Sequence, residues 1–209
     1  MLFIFRLRNN FWAKLFALFY SARFRSYGKR TRLVLPLGIE GISNIHLGDD
    51  VYVGYRTTLA AVPHTGAQEC TLEIGSGTNL GSFNHVYATR SVTIGANVLT
   101  ANGVYISDNL HGYEDIGRPI KQQPLRQLRE TSIGDGTWLG HNACVFGVRI
   151  GRNCIVGANS VVTRDVPDHC VVAGAPARII RRYDVSTGSW RRTDTDGRFL
   201  DGASPAQEG

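Results

Sequence analysis

Six histidines are spread along the chain: His46, His64, His85, His111, His141 and His169. An imidazole with an ordinary pKa of ~6.5 takes up a proton near neutrality, so each has the chemistry of a general base. No two of them lie close together in sequence, which disfavours a three-histidine zinc site of the carbonic-anhydrase kind. The four cysteines (Cys70, Cys144, Cys154 and Cys170) show neither a CxxC pair nor a metal-ligand spacing. They read as small buried apolar residues of a reducing compartment, and the location expected is cytoplasmic. The amide of Asn84 can donate to and accept from hydroxyls, or it can satisfy the backbone at a turn. A lone histidine is usually structural, so position has to decide which of these groups reacts.

Position comes from a repeat of six residues. Leu47-Gly48 is followed by Val53-Gly54 and Leu59, and Ile74-Gly75 by Leu80-Gly81 and Val86. The same step links Ile94-Gly95, Thr100 and Ile106; then Ile133-Gly134, Leu139-Gly140 and Val145; then Ile150-Gly151, Val156-Gly157 and Val162. A period of six fits neither an amphipathic helix nor a simple alternating strand. It fits a chain that runs straight briefly, turns, and repeats, with the aliphatic residue inward and glycine at or near the corner. Three sides close a triangular coil, and stacked coils pair their backbones around an aliphatic column. Every break in the step falls after a third hexapeptide, so all excursions leave along one edge. The longest, about residues 110–131, holds Pro119, Pro124 and three glutamines and reads as an exposed functional loop. His111 lies five residues past Ile106, where coil gives way to that loop.

The formal net charge is +6, and it is unevenly placed. Residues 1–39 hold Arg6, Arg8, Lys14, Arg23, Arg25, Lys29, Arg30 and Arg32 and no acidic residue. A basic arm rich in Phe, Leu and Trp suggests peripheral contact with an anionic membrane surface, at the inner face, or a helix that caps one end of the fold. Nucleic acid is not expected, because the body shows no basic stripe and no recognisable module. Lys14 interrupts the apolar stretch 11–20, which is too short to span a bilayer, and no convincing signal-cleavage site follows. Asn9 or Asn10 could cap a helix running to about Arg25. The organisation expected is an arm at 1–38, the repeat domain at 39–180, and a polar tail at 181–209 lying loosely on the surface.

The strings LGDDVYVG (47–54), IGDGTWLG (133–140) and IGRNCIVGANSVVTRDVP (150–167), with the ending VVAGAPARII (171–180), resemble the hexapeptide-repeat acyltransferases. The resemblance covers about residues 39–180 and leans toward sugar O-acetyltransferases: galactoside and maltose acetyltransferases and those acting on lipopolysaccharide or capsule. It implies an all-β fold, a left-handed parallel β-helix, assembled as a homotrimer with sites in the clefts between subunits. The segment SVTIGANVLTANGVYISDNLHG (91–112) aligns without a gap and places His111 on the family's catalytic histidine.

What the resemblance implies is acetyl transfer from acetyl-CoA to a sugar hydroxyl, His111 acting as general base with direct transfer and no metal. Asn84, His85 and Asp108 fall where the acceptor sugar binds, and His141 is a further candidate for the cleft wall. Trp138, Ala158, Thr163, Arg164 and Arg178 match the cofactor-lining segment. Asp108, Glu114 and Asp115 are candidates to orient the His111 ring. The chain departs from the pattern twice: Asn109 stands where many relatives have a second histidine, and one residue is missing between Val145 and Ile150. A lipid-linked saccharide would suit the basic arm as acceptor. A non-catalytic scaffold or sugar-binding module is the competing reading.

Overall fold

A computed structural model describes residues 2–200. Short extended segments put alternate side chains on opposite sides, so each hexapeptide contributes one inward aliphatic residue and leaves its neighbours outside. Three such segments close a coil, and three parallel sheets form the faces of a triangular β-helix. The first face runs from Ser26–Tyr27 through Ile45–Leu47, Thr71–Ile74, Ser91–Ile94 and Thr131–Ile133 to Arg149–Ile150. The second runs from Arg32–Leu33 to Ile155–Val156 and Cys170–Gly174; the third runs from Gly38–Glu40 through Thr58–Ala61, His85–Ala88, Tyr105–Ser107 and Cys144–Phe146 to Val161–Val162.

The repeat residues stack in register. Ile74 pairs with Ile94, Ile94 with Ile133, and Ile133 with Ile150, while Leu59, Val86, Ile106, Val145 and Val162 form a second column. Leu33, Leu47, Leu59, Leu80 and Leu139 are fully buried, each worth about 1.5–3 kcal/mol of transfer from water. The corners add a polar ladder with no counterpart in the aliphatic repeat. The buried hydroxyls of Thr57, Thr78 and Thr137 donate to the carbonyls of Gly81, Gly95 and Gly151 and accept the N–H of Asn84, Val98 and Cys154.

The repeat glycines are required for close approach between coils. A Cβ on Gly75 would sit 2.5 Å from the carbonyl carbon of Gly95 in the next coil. The left-handed backbone falls two residues later, on Gly77, Asn97, Gly136 and Asn153, types that tolerate positive φ. The corner with one residue fewer closes through Gly147, which takes φ +56°.

Three boundaries differ from expectation. The helix, α1, spans Leu2–Tyr20, with Asn9 and Asn10 in its interior. Their amide oxygens take side-chain donors, Arg8 on Asn9 and Arg32 Nη1 on Asn10 at 3.3 Å, instead of capping backbone. The coil begins at Ser26–Tyr27 and Arg32–Leu33, which pair with Ile45–Leu47 and Tyr52–Val53, ahead of residue 39. The aliphatic-Gly signature is absent there because Tyr27 precedes Gly28 and Leu33 precedes Val34.

The third difference is at the C-terminal end. Within the expected tail, residues 181–184 and 189–192 join the sheet of the second face. Ala177–Asp184 pairs antiparallel with Cys170–Gly174, and Ser189–Arg192 pairs with Ala177–Asp184. The open sheet edge supplies hydrogen bonds that composition does not reveal, and Asp184 and Arg191 close the hairpin through an ion pair at 2.8 Å. The last part of the expected tail, 201–209, lies outside the described residues.

Candidate active site

The third face meets the first at the edge from which the excursions leave. Two residues past Ser107 the chain turns outward into an antiparallel hairpin, Asn109–His111 paired with Leu125–Gln127, and His111 faces Leu125. A two-stranded ribbon is marginal by itself, so this one needs anchoring. Asp108 anchors it. Its side chain is fully buried; one oxygen accepts the N–H and hydroxyl of Thr89 at 2.7 and 2.8 Å. The other accepts the N–H groups of Arg90 and Ser91, both at 2.7 Å. Gln127 completes the clamp: Nε2 donates to the carbonyls of Asp108 and Leu128, and Oε1 accepts the Thr65 hydroxyl and lies 3.1 Å from that of Thr89. Two excursions, 62–70 and 108–130, are thereby tied to one corner.

His111 is exposed on this clamped hairpin, and among the described residues nothing hydrogen-bonds its imidazole. None of the three carboxylates considered for orienting the ring does so. Asp108 is saturated by donors from Thr89, Arg90, Ser91 and Asn109. Glu114 accepts from Arg126 Nη1 at 3.2 Å and from the Tyr113 N–H, and Asp115 accepts the N–H of Gly117.

The two polar residues expected to meet a sugar are internal. Asn84 is 2% exposed; its Nδ2 donates to the Thr100 hydroxyl and its Oδ1 accepts the Val104 N–H at 2.8 Å. Asp108 is fully buried. A sugar hydroxyl would have to displace coil-to-coil hydrogen bonds to reach either. Asn109 is likewise buried, against Asp108.

His85 does reach the outer surface. It stacks on Tyr105, with centroids 5.3 Å apart, and Tyr87 and Phe146 flank them on the same face. The register places His85 and Tyr105 one coil apart, and Tyr87, Ser107 and Phe146 in the next row. Burial lowers the His85 pKa below its ordinary value, with Glu40 partly opposing it. His64 reaches the Tyr87 hydroxyl through Nδ1. His141 is exposed at the opposite corner of the same face.

The residues expected to line a cofactor are dispersed. Arg164 and Arg178 share a cavity of about 160 Å³ at the C-terminal end of the prism, with Val162, Ile179, Thr195 and Asp196. Thr163 is exposed beside it. Trp138 stands 46% exposed on the second face, next to Leu99 and Ile155, and Ala158 lies exposed past the corner between second and third faces. Among the described residues no three His, Cys, Asp or Glu gather into a group able to hold a metal ion.

Residues 130–164 match a family model described as the hexapeptide repeat of succinyl-transferase. Over 176 residues the chain is 30% identical to WbbJ of Escherichia coli strain K12, a protein named for O-acetyl transfer in lipopolysaccharide biosynthesis; the alignment covers 80% of this chain and 87% of that one. The chain belongs to the hexapeptide-repeat acyltransferases. This acyltransferase is also 29% identical over 167 residues to the galactoside O-acetyltransferase of the same strain, covering 77% of its own length and 65% of that relative. A solved galactoside acetyltransferase in complex with coenzyme A superposes with a TM-score of 0.52 at 26% identity, over 87% of this chain and 75% of that one.

The acyltransferase holds two features that its sequence does not announce. Gln127 belongs to no motif, and its role appears only when two distant excursions meet. The aromatic row on the third face follows from register, which spacing between irregular corners does not supply.

Proposed function

We propose that this acyltransferase moves the acetyl group of acetyl-CoA to a hydroxyl of a sugar, with His111 as general base. The observation that carries this is an exposed imidazole, without a hydrogen-bond partner among the described residues, on a hairpin locked to the coil by Asp108 and Gln127. Such a base is positioned yet still open to take a proton. As the sugar oxygen attacks the thioester carbon, its proton passes to the imidazole; the C–S bond then breaks and the sulfur leaves with that proton. Transfer is direct, with no acyl-enzyme.

The relatives named above, an O-acetyl transferase of lipopolysaccharide biosynthesis and galactoside acetyltransferases, support a sugar acceptor within polysaccharide or glycolipid synthesis. With the basic arm, the acceptor class favoured is a lipid-linked saccharide at the inner membrane face. Coenzyme A runs along the C-terminal coils, with Arg164 and Arg178 toward its phosphates and Thr163, Ala158 and Trp138 along its length. Arg164 and Arg178 line one cavity, Trp138 and Ala158 stand exposed elsewhere on the prism, and His111 is exposed on its hairpin. These placements fit a homotrimer in which a neighbour completes each site, on a prism wound left-handed as in the family. His85 and the Tyr105–Phe146 row then supply an apolar wall for acceptor or partner.

The test is transfer of labelled acetyl to a panel of sugar acceptors, with product mass analysis. His111→Ala should lower kcat by about 10²-fold or more while binding of coenzyme A in calorimetry is unchanged. Near wild-type transfer by His111→Ala refutes the assignment. Failure of the wild type to bind coenzyme A would mean a scaffold or sugar-binding module instead.

A further inference from the structure

The helix α1 is seated with its small side inward. Ala13 is 1% exposed and Phe16 packs on the core through Phe24, at a centroid distance of 6.4 Å. The large apolar residues point the other way: Leu7 is 54% exposed, Phe11 61%, Leu18 77% and Phe19 64%. Leu7, Phe11 and Leu18 share one side by helical spacing, and Trp12 and Phe19 form the adjacent row. A cleft of about 420 Å³ between the helix and Leu35-Pro36 continues that apolar surface. A surface helix of a globular protein ordinarily shows the reverse arrangement, polar outward and apolar inward. Capping the prism therefore accounts for one side of α1 only.

Charge selects the occupant of the other side. Arg8, Lys14, Arg23 and Arg25 belong to the same arm, and the first carboxylate in the chain is Glu40. A second copy docked helix to helix would bring like cations together. An anionic bilayer offers negative headgroups to the cations and acyl chains to the stripe. The helix is not long and apolar enough to cross, so it would lie in the interface plane.

We infer that the outward face of α1 is a docking surface for anionic phospholipid bilayers. The inference deepens the reading of a membrane-borne acceptor and rests on it for its purpose, though its test needs no acceptor. Full-length protein is sedimented with vesicles of phosphatidylcholine plus phosphatidylglycerol, and with phosphatidylcholine alone. Wild type should bind the anionic vesicles and weaken with salt. The triple variant Phe11→Glu, Leu18→Glu, Phe19→Glu should lose at least about tenfold in binding with an unchanged thermal midpoint, since all three side chains are exposed. Lys14→Glu with Arg25→Glu should also lose about tenfold or more on the anionic vesicles.

The inference is overturned if wild type stays in the supernatant, if the triple variant binds as tightly, or if the variant changes only the oligomeric mass in ultracentrifugation. His111→Ala should bind vesicles like the wild type, so failure of the acetyl-transfer reading leaves this test standing.

Discussion

Removing the Asp108 carboxylate should loosen both the corner and the reaction, and its cost can be worked from its shortest hydrogen bonds. In Asp108→Ala the buried N–H of Thr89 loses its acceptor, while the Thr89 hydroxyl can still turn to Gln127 Oε1 at 3.1 Å. A buried donor left unpaired costs about 1–3 kcal/mol, so the Thr89 N–H accounts for roughly 2 kcal/mol. The N–H groups of Arg90 and Ser91 also lose their acceptor, but those residues reach solvent and water can replace part of it. They add about 0.5–1 kcal/mol each, giving about 3–4 kcal/mol in total.

A domain of ordinary stability, about 5–15 kcal/mol, would still fold after such a loss. Guanidinium unfolding, followed by circular dichroism, should show a lower midpoint with the same slope. Asp108→Asn keeps one acceptor oxygen and turns an NH₂ toward two donors, so it should fall between the two. The hairpin that carries His111 springs from this corner, so kcat should drop in step with stability while the KM for acetyl-CoA holds. A midpoint within about 0.5 kcal/mol of wild type for Asp108→Ala would refute the hydrogen-bond count. A raised KM for the sugar with unchanged stability would mean that Asp108 touches the acceptor after all.

Gln127→Leu removes the bridge between the two excursions and should lower kcat at least about tenfold with little change in acetyl-CoA binding, measured by steady-state kinetics and calorimetry. Gly75→Ala drives a Cβ to 2.5 Å from backbone and should cost about 3 kcal/mol, whereas Gly38→Ala, which meets only a Thr58 methyl at 3.7 Å, should be nearly neutral; denaturant midpoints separate them. His85 has a lowered folded pKa, so the unfolded chain binds its proton first as pH falls. Its contribution is complete above the unfolded value of about 6.5 and is lost as pH drops through the folded one; His85→Phe should flatten the fall in unfolding midpoint below that pH. Arg164→Ala and Arg178→Ala line one cavity and should each raise the KM for acetyl-CoA, with kcat nearly unchanged.

The six-residue step was enough to define the solenoid, because an inward aliphatic residue at each side of a triangle is a local requirement that recurs in every coil. It also located the edge from which the excursions leave, and with it the loop bearing His111. Where a coil uses Tyr27 or Leu33-Val34 in place of the aliphatic-Gly pair, the step disappears from view although the backbone pairing persists. The hairpin beyond residue 177 was hidden for a related reason: its strands are held by the open edge of the second face, and polar residues suffice for that.

Tertiary structure alone decided what the polar side chains do. Asn84 and Asp108 have the types of sugar-contacting residues, but which way a corner side chain turns depends on partners sixteen to twenty residues away in the neighbouring coil. The outward apolar face of α1 has the same origin. Sequence shows an apolar helix, and only its seating on Ala13 and Phe16 determines which residues are left facing out. Local periodicity dictates the path of the backbone; long-range pairing dictates which polar groups are used up inside and which remain free to act.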